Sequence, residues 1–268
     1  MTTGRFHKMH GLGNDFVIID AREEEIELSA AQASAIADRH SGIGCDQLIV
    51  LRSSREADVR MQIFNADGSE VEACGNAARC VAKLIGDETR IETAGGVITG
   101  HATAEGAVVD MGKPRFDWQA IPLAYAMDTL SMPVGWEELQ NPAAVNVGNP
   151  HVIFFVADSA AVELERLGPM IEVDPLFPDK VNVNIAHIED GIIHLRVWER
   201  GVGLTRACGT GACATAVAAI RRGLVSSPVQ VNLPGGALRI SWKDGEAIEM
   251  QGPTSYVFAG DADWAQFG

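Results

Sequence analysis

Hydrophobic and polar residues alternate in two stretches of the chain that look alike. Hydrophobic residues occupy every second position over residues 59–63 and again over residues 193–197. A period of two is typical of a half-buried β-strand. Each stretch is followed by a glycine-containing turn, a cysteine and an apolar pattern with helical spacing. The pattern therefore predicts one strand–turn–helix unit in each half of the chain.

Helix boundaries can be predicted from capping residues. The first apolar helix should begin near Gly75 and end at Gly86, and the second should begin near Gly209 and end at Gly223, because glycine suits the position after a helix. A further helix capped by Ser29 is expected, with a counterpart starting near Ser159.

Short segments of the first half recur in the second half in the same order, at a spacing that drifts from about 135 to 140 residues. Residues 13–18 resemble 148–153, residues 46–49 resemble 181–184, and residues 73–75 resemble 207–209. Such order indicates an internal duplication. The predicted fold is α+β, with two pseudo-symmetric domains and a boundary near residues 116–122.

The composition limits the partners that the chain can have. Lys and Arg number 21 against 36 Asp and Glu, so the formal net charge is −15. A nucleic acid or an anionic membrane surface requires a basic face, so we expect neither as a partner. No apolar run reaches the ~18 residues of a membrane span, and the first residues lack the apolar stretch of a signal peptide. We therefore expect a cytoplasmic protein.

Two of the five cysteines lie where a predicted turn meets a predicted helix, at Cys74 and Cys208. Backbone N–H groups and the positive end of the helix dipole should lower the pKa of both thiols toward neutrality. The N–H groups that follow each cysteine could also bind a carboxylate. If the two halves face each other, one thiolate could remove an α-proton while the other thiol protonates the opposite face of the carbon.

These cysteines have two other interpretations. Cys74 and Cys208 could be small buried residues. A zinc site is weaker, because Cys80 and Cys213 lie six and five residues after them on helices of 3.6 residues per turn and point elsewhere. We assign Cys45, Cys80 and Cys213 to packing and expect no metal. We also recognise no pyridoxal-binding lysine, so we expect no cofactor.

Several motifs together resemble the diaminopimelate epimerase family across essentially the whole chain. They are residues 13–16 (GNDF), 64–69 (FNADGS), 73–80 (ACGNAARC), 148–151 (GNPH) and 199–211 (ERGVGLTRACGTG). The resemblance implies a cofactor-independent isomerase that interconverts LL- and meso-2,6-diaminopimelate, in lysine and peptidoglycan precursor synthesis. It also implies two domains, each a mixed sheet or barrel around a central helix, with the active site in the cleft between them, and a homodimer.

The resemblance also implies the site residues. Cys74 and Cys208 would be the proton-transfer pair, His151 would tune or relay a proton, and Glu199 would be catalytic and offer an anion to a substrate ammonium. The residues that would bind the substrate are Asn14, Gln47, Asn65, Gly75, Asn76, Asn149, Asn182, Glu199, Arg200, Gly209 and Thr210. Among these, Arg200 could hold the distal carboxylate in a fork.

The resemblance bears on the chain's C-terminus as well. In the family this stretch returns to the first domain, which gives domains of residues 1–117 with 258–268, and 118–257. Some relatives carry tyrosine where this chain has Phe258, at a position linked to the dimer contact. That departure bears on the interface and not on the chemistry.

Two alternative functions remain open. Proline racemase and 4-hydroxyproline epimerase share the two-cysteine plan, but a distal site containing Arg200 suits a second amino-acid end that proline lacks. A protein of another class, a non-catalytic amino-acid-binding or redox-sensing protein, would not exchange the α-proton with solvent.

Overall fold

The computed structural model describes residues 3–24, 26–71, 74–86 and 88–268. The chain divides into two compact units, unit 1 (Met1–Val109 and Gly252–Gly268) and unit 2 (Asp110–Gln251). These divisions precede the sequence-based boundaries at 117/118 and 257/258. The reason is that residues after 109 already bond within unit 2: Met111 N donates to Ile248 O, and Arg115 N donates to Asn146 O, both at 2.8 Å.

The described residues form strands and helices that alternate in the same order in both units. Unit 1 opens with β1 (Thr3–Gly11), β2 (Asn14–Asp20), α1 (Ala30–Ala37), β3 (Gln47–Arg52), β4 (Val59–Asn65), β5 (Glu70–Val71), α2 (Gly75–Ile85), β6 (Glu88–Thr93), β7 (Gly96–Ala102) and β8 (Gly106–Asp110). There follow β9 (Gly135–Trp136), β10 (Leu139–Gln140), β11 (Ala143–Asn146), β12 (Pro150–Phe155), α3 (Leu164–Glu172), β13 (Asn182–Glu189), β14 (Ile192–Glu199), β15 (Gly203–Thr205), α4 (Gly209–Arg221), β16 (Val229–Leu233), β17 (Gly236–Ser241), β18 (Glu249–Pro253), β19 (Ser255–Asp263) and a short 3₁₀ helix (Trp264–Phe267).

Strand pairing confirms the duplication. In unit 1, β2 pairs parallel with β3, β3 antiparallel with β4, and β4 parallel with β6, which pairs antiparallel with β7. In unit 2, β12, β13, β14, β16 and β17 repeat these pairings with the same directions. The register is repeated too, because Phe16 opposes Gln47 and His151 opposes Asn182. The predicted α+β fold of two related units is therefore confirmed.

A buried helix lies at the centre of each unit. Residues 75–82 of α2 and residues 211–219 of α4 are buried, and each helix packs against strands of its own unit. The predicted starts at Gly75 and Gly209 are confirmed, as is the end of α2 at Gly86, whose φ of 105° favours glycine. A mixed sheet around a central helix explains why apolar residues face inward along both elements.

The outer helices differ between the units. Ser29 caps α1 as predicted, since its hydroxyl accepts the N–H of Gln32 at 3.2 Å. The prediction that α3 begins near Ser159 is wrong, because α3 begins at Leu164, and the Ser159 hydroxyl instead bonds to His187 Nδ1 at 2.8 Å. The C-terminal strand β19 pairs with β1 from Asp263 back to Ser255, within unit 1.

Each unit has a hydrophobic core of its own. In unit 1, α1 packs with β2, β3 and Trp264, and in unit 2, α3 packs with β12 and β13. None of the helices in the described part of the chain has the length and apolar character needed to cross a bilayer.

Candidate functional site

Cys74 lies directly before α2 in unit 1. Its backbone is extended (φ −145°, ψ 111°), which is typical of an N-cap residue, and its side chain is partly exposed. Its thiol lies 3.9 Å from Asn14 Oδ1, toward which it donates. Gly75 and Asn76 form the start of the helix, where backbone N–H groups have no acceptor within the helix. Ala73, which the sequence matched with Ala207, lies outside the described residues.

Asn14 joins the residues around this thiol. Its Oδ1 accepts a hydrogen bond from Asn76 Nδ2 at 3.1 Å, and its Nδ2 donates to Asp46 Oδ2 at 3.1 Å. Asn76 is held in turn by Arg79, a fully buried guanidinium that donates to its Oδ1 at 2.8 Å. The structure therefore brings three predicted residues, Asn14, Cys74 and Asn76, into one hydrogen-bonded group.

An ionic cluster that the sequence did not reveal supports this group. Arg39 donates to Asp15 at 2.6 Å and to Asp46 at 2.7 Å, and Lys8 also bonds to Asp15. Burial alone would raise the pKa of Asp15, but hydrogen bonds from Arg39 and Lys8 bring it well below its usual range. Arg39 thus fixes the carboxylate of Asp46, which in turn holds the side-chain amide of Asn14. A signal in the sequence was the charged Asp15 inside the GNDF motif.

Gln47 and Asn65 form a second group in unit 1. They oppose each other across β3 and β4, and Gln47 Nε2 donates to Asn65 Oδ1 at 3.1 Å. Asn65 Nδ2 donates to the Ser69 hydroxyl at 3.1 Å. The remaining oxygen of Gln47, Oε1, is buried and accepts no hydrogen bond from the described residues. A buried acceptor of this kind is suited to an N–H donor from outside the chain.

Cys208 has the equivalent place in unit 2 but a different environment. It precedes α4 in an extended conformation, and its Sγ accepts the N–H of Gly211 at 3.4 Å and lies 3.5 Å from Thr210 Oγ1. It is only 3% exposed. Burial and then the negative charge of Glu199 raise its pKa well above the usual thiol value, although the bonds from Thr210 and Gly211 lower it. The prediction of a lowered pKa is therefore wrong for Cys208, because burial outweighs the helix dipole.

Glu199 is the acidic neighbour of this thiol. Its Oε1 accepts the hydroxyl of Thr205 at 2.5 Å, and its carboxylate also bonds to the thiol of Cys208. Burial raises the pKa of Glu199, while these two hydrogen bonds lower it. The Glu199 carboxylate is therefore the hydrogen-bond acceptor beside the Cys208 thiol and lies where it could take the proton of that thiol.

His151 lies in the interior of unit 2 between two asparagines. Its Nδ1 accepts from Asn184 Nδ2 at 3.0 Å, so its proton lies on Nε2, which donates to Asn149 Oδ1 at 2.9 Å. The ring is fully buried, and burial lowers its pKa to about 3. Through its Nε2–H, His151 orients the amide of Asn149, and the proton relay that the resemblance implies stays a prediction.

Asn182 and Arg200 lie together at the end of β14. Asn182 is 2% exposed, accepts the backbone N–H of Arg200 at 2.9 Å and donates to Pro150 O at 2.8 Å. Its amide therefore holds the backbone of the turn, and its expected contact with a substrate stays a prediction. The Arg200 side chain is exposed and donates to Asp179 O at 2.8 Å.

One further group of described residues has metal-ligand types. Ligand atoms of His187, Glu189 and His194 lie within 4.8 Å of one another. The two imidazole rings stack in parallel at 4.6 Å, and His187 Nδ1 accepts the backbone N–H of Ser159 at 3.1 Å. A neutral imidazole has one lone pair, which is used in that bond, so His187 offers none to a cation. We assign no metal to this group.

Comparison with known proteins identifies what these units resemble. The profile described as diaminopimelate epimerase matches residues 6–117 and 143–257. A diaminopimelate epimerase from Rhizorhabdus wittichii is 64% identical over 98% of this chain and 97% of its own length. One from Zymomonas mobilis is 59% identical over 99% of both chains.

Solved structures share the fold at low identity. A phenazine biosynthesis protein of the PhzF family from Bacillus anthracis superimposes with a TM-score of 0.70 at 18% identity, covering 98% of this chain and 99% of that one. A hydroxyproline epimerase from Agrobacterium vitis has a TM-score of 0.68 at 14% identity, with 97% and 92% covered. The profile match and the near-complete alignment with close relatives show that this chain belongs to the diaminopimelate epimerase family.

Proposed function

We propose that this protein is an isomerase that interconverts LL- and meso-2,6-diaminopimelate without a cofactor. The observation that carries the proposal is the 59–64% identity, over almost the full chain, with relatives named diaminopimelate epimerase. The structure supports it by giving a thiol the same place in both copies of the duplicated unit, at the first turn of the central helix.

The chemistry proposed for the thiols is a two-base inversion at one α-carbon. In one direction, the thiolate of Cys74 removes the α-proton and the thiol of Cys208 donates its own proton to the opposite face. The raised pKa of Cys208 suits a resting acid. The other direction starts from the opposite protonation state, with Cys74 as the thiol and Cys208 as the thiolate after its proton has passed to Glu199. That thiolate takes the α-proton, and the Cys74 thiol donates its own proton to the opposite face. Each turnover thus moves one proton off the carbon and one onto it.

The developing carbanion requires electrostatic stabilisation. The N–H groups at the starts of α2 and α4, at Gly75 and Asn76 and at Gly209 and Thr210, are proposed to bind the reacting carboxylate. Negative charge that moves onto this carboxylate is stabilised by dipoles that are already oriented. Loss of one such donor typically costs about 10²–10³ in kcat.

The polar groups of the two units are proposed to hold the amino groups and the distal end of the substrate. Arg200 is exposed and can form a bidentate pair with the distal carboxylate. The buried Oε1 of Gln47 can accept an N–H from a substrate ammonium. Asn14, Asn65 and Asn149 are partly exposed and supply further amide groups.

The direct test is substrate specificity. Purified protein is incubated with LL-diaminopimelate, L-proline or trans-4-hydroxy-L-proline, and the stereoisomers are separated by chiral chromatography. We expect the meso isomer from the first compound and no inversion of the other two. Inversion of proline would favour the racemase alternative, and diaminopimelate binding without any inversion would favour the non-catalytic alternative.

A homodimer and a cytoplasmic location are part of the proposal. Tyr256, Val257 and Phe258 follow one another in β19 and are each about half exposed, although successive strand residues point to opposite faces. A second copy covering this strand would remove these apolar side chains from water. Light scattering should give twice the chain mass of 28.6 kDa, and Val257→Glu should give the monomer.

The proposed cytoplasmic location follows from the chemistry, because both reacting groups are thiols, which a reducing cytoplasm maintains.

A further inference from the structure

The turn that follows β14 carries two predicted site residues, Glu199 and Arg200. The N–H of Val202 donates to Glu199 O at 3.0 Å, which closes a four-residue turn, and Gly201 adopts a φ of 75°. A turn of this type leaves the N–H groups of its two central residues without a partner inside the turn. Arg200 N and Gly201 N therefore bond to groups outside the turn.

Glu172 and Asn182 bind these two N–H groups. Asn182 Oδ1 accepts from Arg200 N at 2.9 Å, and Glu172 Oε1 accepts from Gly201 N at 3.0 Å. The other carboxylate oxygen of Glu172 accepts from Trp198 Nε1 at 2.8 Å. Glu172 is 7% exposed, and Lys180 Nζ lies 3.9 Å from its Oε1. The buried carboxylate of Glu172, the last residue of α3, thus binds both Trp198 and Gly201, which lie before and after Glu199 in the chain.

Close packing makes α3 a rigid base for this carboxylate. A Cβ atom placed on Gly168 would lie 2.6 Å from the indole ring of Trp198, so the helix backbone rests directly on that side chain. The helix cannot approach or withdraw without disturbing Trp198. Glu172 therefore holds the turn from a fixed position.

Unit 1 uses its equivalent helix in the same way. The turn after β4 begins with Asn65, whose carbonyl accepts the N–H of Gly68 at 2.9 Å. Ser34 of α1 donates its hydroxyl to Ala66 O in this turn at 2.9 Å. The two copies use different residue types for a helix-to-turn bond at the same place in the fold. This argues that fixing the turn, and not the particular side chain, has been retained since the duplication.

We infer that Glu172 is a positioning residue for substrate binding. It fixes the 199–202 turn and thereby the backbone from which the Arg200 side chain extends; among the described residues, the guanidinium of that side chain donates to Asp179 O. Glu199 depends less on this bond, because Thr205 and the β14–β15 pairing also hold it. The inference rests on the proposed function for the identity of the group that Arg200 binds.

The kinetic test replaces Glu172 with Gln. Glutamine can accept one of the two N–H bonds, while its own NH2 group faces the other donor. We expect KM for LL-diaminopimelate to rise about tenfold, with kcat changed less than about twofold. Glu165→Gln, on the exposed side of the same helix, is the control and should leave both constants unchanged.

A double-mutant cycle shows whether Glu172 acts through Arg200. If it does, Glu172→Gln combined with Arg200→Lys should have a KM within about twofold of that of Arg200→Lys alone. Effects that multiply, or an unchanged KM in Glu172→Gln, would overturn the inference. Should Glu172→Gln fail to fold, Glu172→Asp, which withdraws the charge by one methylene, takes its place with the same expected directions.

Amide hydrogen exchange separates this inference from the proposed function. The Gly201 amide should exchange at least about tenfold faster in Glu172→Leu, which offers no acceptor, than in the parent, while residues 65–68 exchange as before. This readout needs no substrate. Faster exchange in a protein that does not epimerise diaminopimelate would retain the turn-fixing role and refute the proposed function. Unchanged exchange at Gly201 would refute the role of Glu172 whatever the activity.

Discussion

His151 and Asn184 form a buried polar pair in unit 2 where unit 1 has an apolar one. Strand pairing aligns His151 with Phe16 and Asn184 with Ile49, and all four side chains are fully buried. Burying a polar pair brings little net stability even when it is hydrogen-bonded. We therefore predict that the double variant His151→Phe, Asn184→Ile, which restores the pair of unit 1, folds normally and loses activity.

The expected magnitudes follow from the hydrogen bonds. Asn184→Ile leaves the buried His151 Nδ1 without a donor, which costs about 1–3 kcal/mol of unfolding free energy. His151→Phe costs less, because Asn184 Nδ2 still donates to Val152 O, and the double variant, which removes both partners, should be near neutral at pH 7.5. The coupling between the two changes should therefore be about 1 kcal/mol or more. Loss of the His151 donor frees the amide of Asn149, and kcat/KM should fall about tenfold or more.

The buried histidine should also make the stability of the protein depend on pH. The pKa of His151 is about 3 in the folded protein and about 6.5 when unfolded, so the unfolded chain binds a proton that the folded one does not. The contribution of neutral His151 to the free energy of unfolding is therefore fully present above pH 6.5. It is lost as the pH falls toward 3, at about 1.4 kcal/mol per pH unit. Between pH 7.5 and pH 5 the parent should lose about 2 kcal/mol more than the double variant.

Urea unfolding at pH 7.5, 6 and 5 measures this difference for the parent, both single variants and the double variant. His101→Phe, at an exposed histidine, is the control and should behave as the parent. Additive single effects, or the same pH dependence in parent and double variant, would refute the account of the buried pair.

Three further predictions concern the site. Glu199→Gln should lower kcat at least about a hundredfold, because Cys208 loses its proton acceptor. Burial raises the pKa of Glu199, so ionisation of this carboxyl destabilises the folded parent as the pH rises through that pKa. Urea unfolding should therefore find Glu199→Gln more stable than the parent at pH 8 and not at pH 4. Asp46→Asn should lower kcat/KM about tenfold by releasing Asn14, whereas Asp244→Asn, at an exposed residue of unit 2, should not. Equal kinetics for the two variants would count against the support of Asn14 by Asp46. Dialysis against a chelator should leave activity intact, and activity that returns only with added metal would contradict a cofactor-free mechanism.

The overall fold could be predicted because duplication places the same signals twice. Strand alternation, the cysteine before each helix and the glycine after it recur in order, and each reflects a local requirement of the backbone. The capping of α1 by Ser29 was predictable for the same reason, whereas Ser159 was not, since its hydroxyl is used by a histidine 28 residues away.

The supporting contacts of the site could not be predicted, because they join residues that are distant in sequence. Asp46 and Arg39 reach Asn14 from another element, and Glu172 reaches Gly201 from α3. Neither contact leaves a spacing pattern in the sequence. The raised pKa of Cys208 could not be predicted, because the start of a helix is visible in the sequence, while burial of the thiol beside Glu199 is not.

The central claim is that two thiols act as separate acid and base on one carbon. Its most direct test is the isotope pattern at early conversion in deuterated water, starting from LL-diaminopimelate. We predict one deuterium at the inverted carbon of the meso product and none in the remaining substrate, with no conversion by Cys74→Ala or Cys208→Ala. Deuterium appearing equally in recovered substrate and product, or epimerisation that survives the loss of either thiol, would contradict the two-base account.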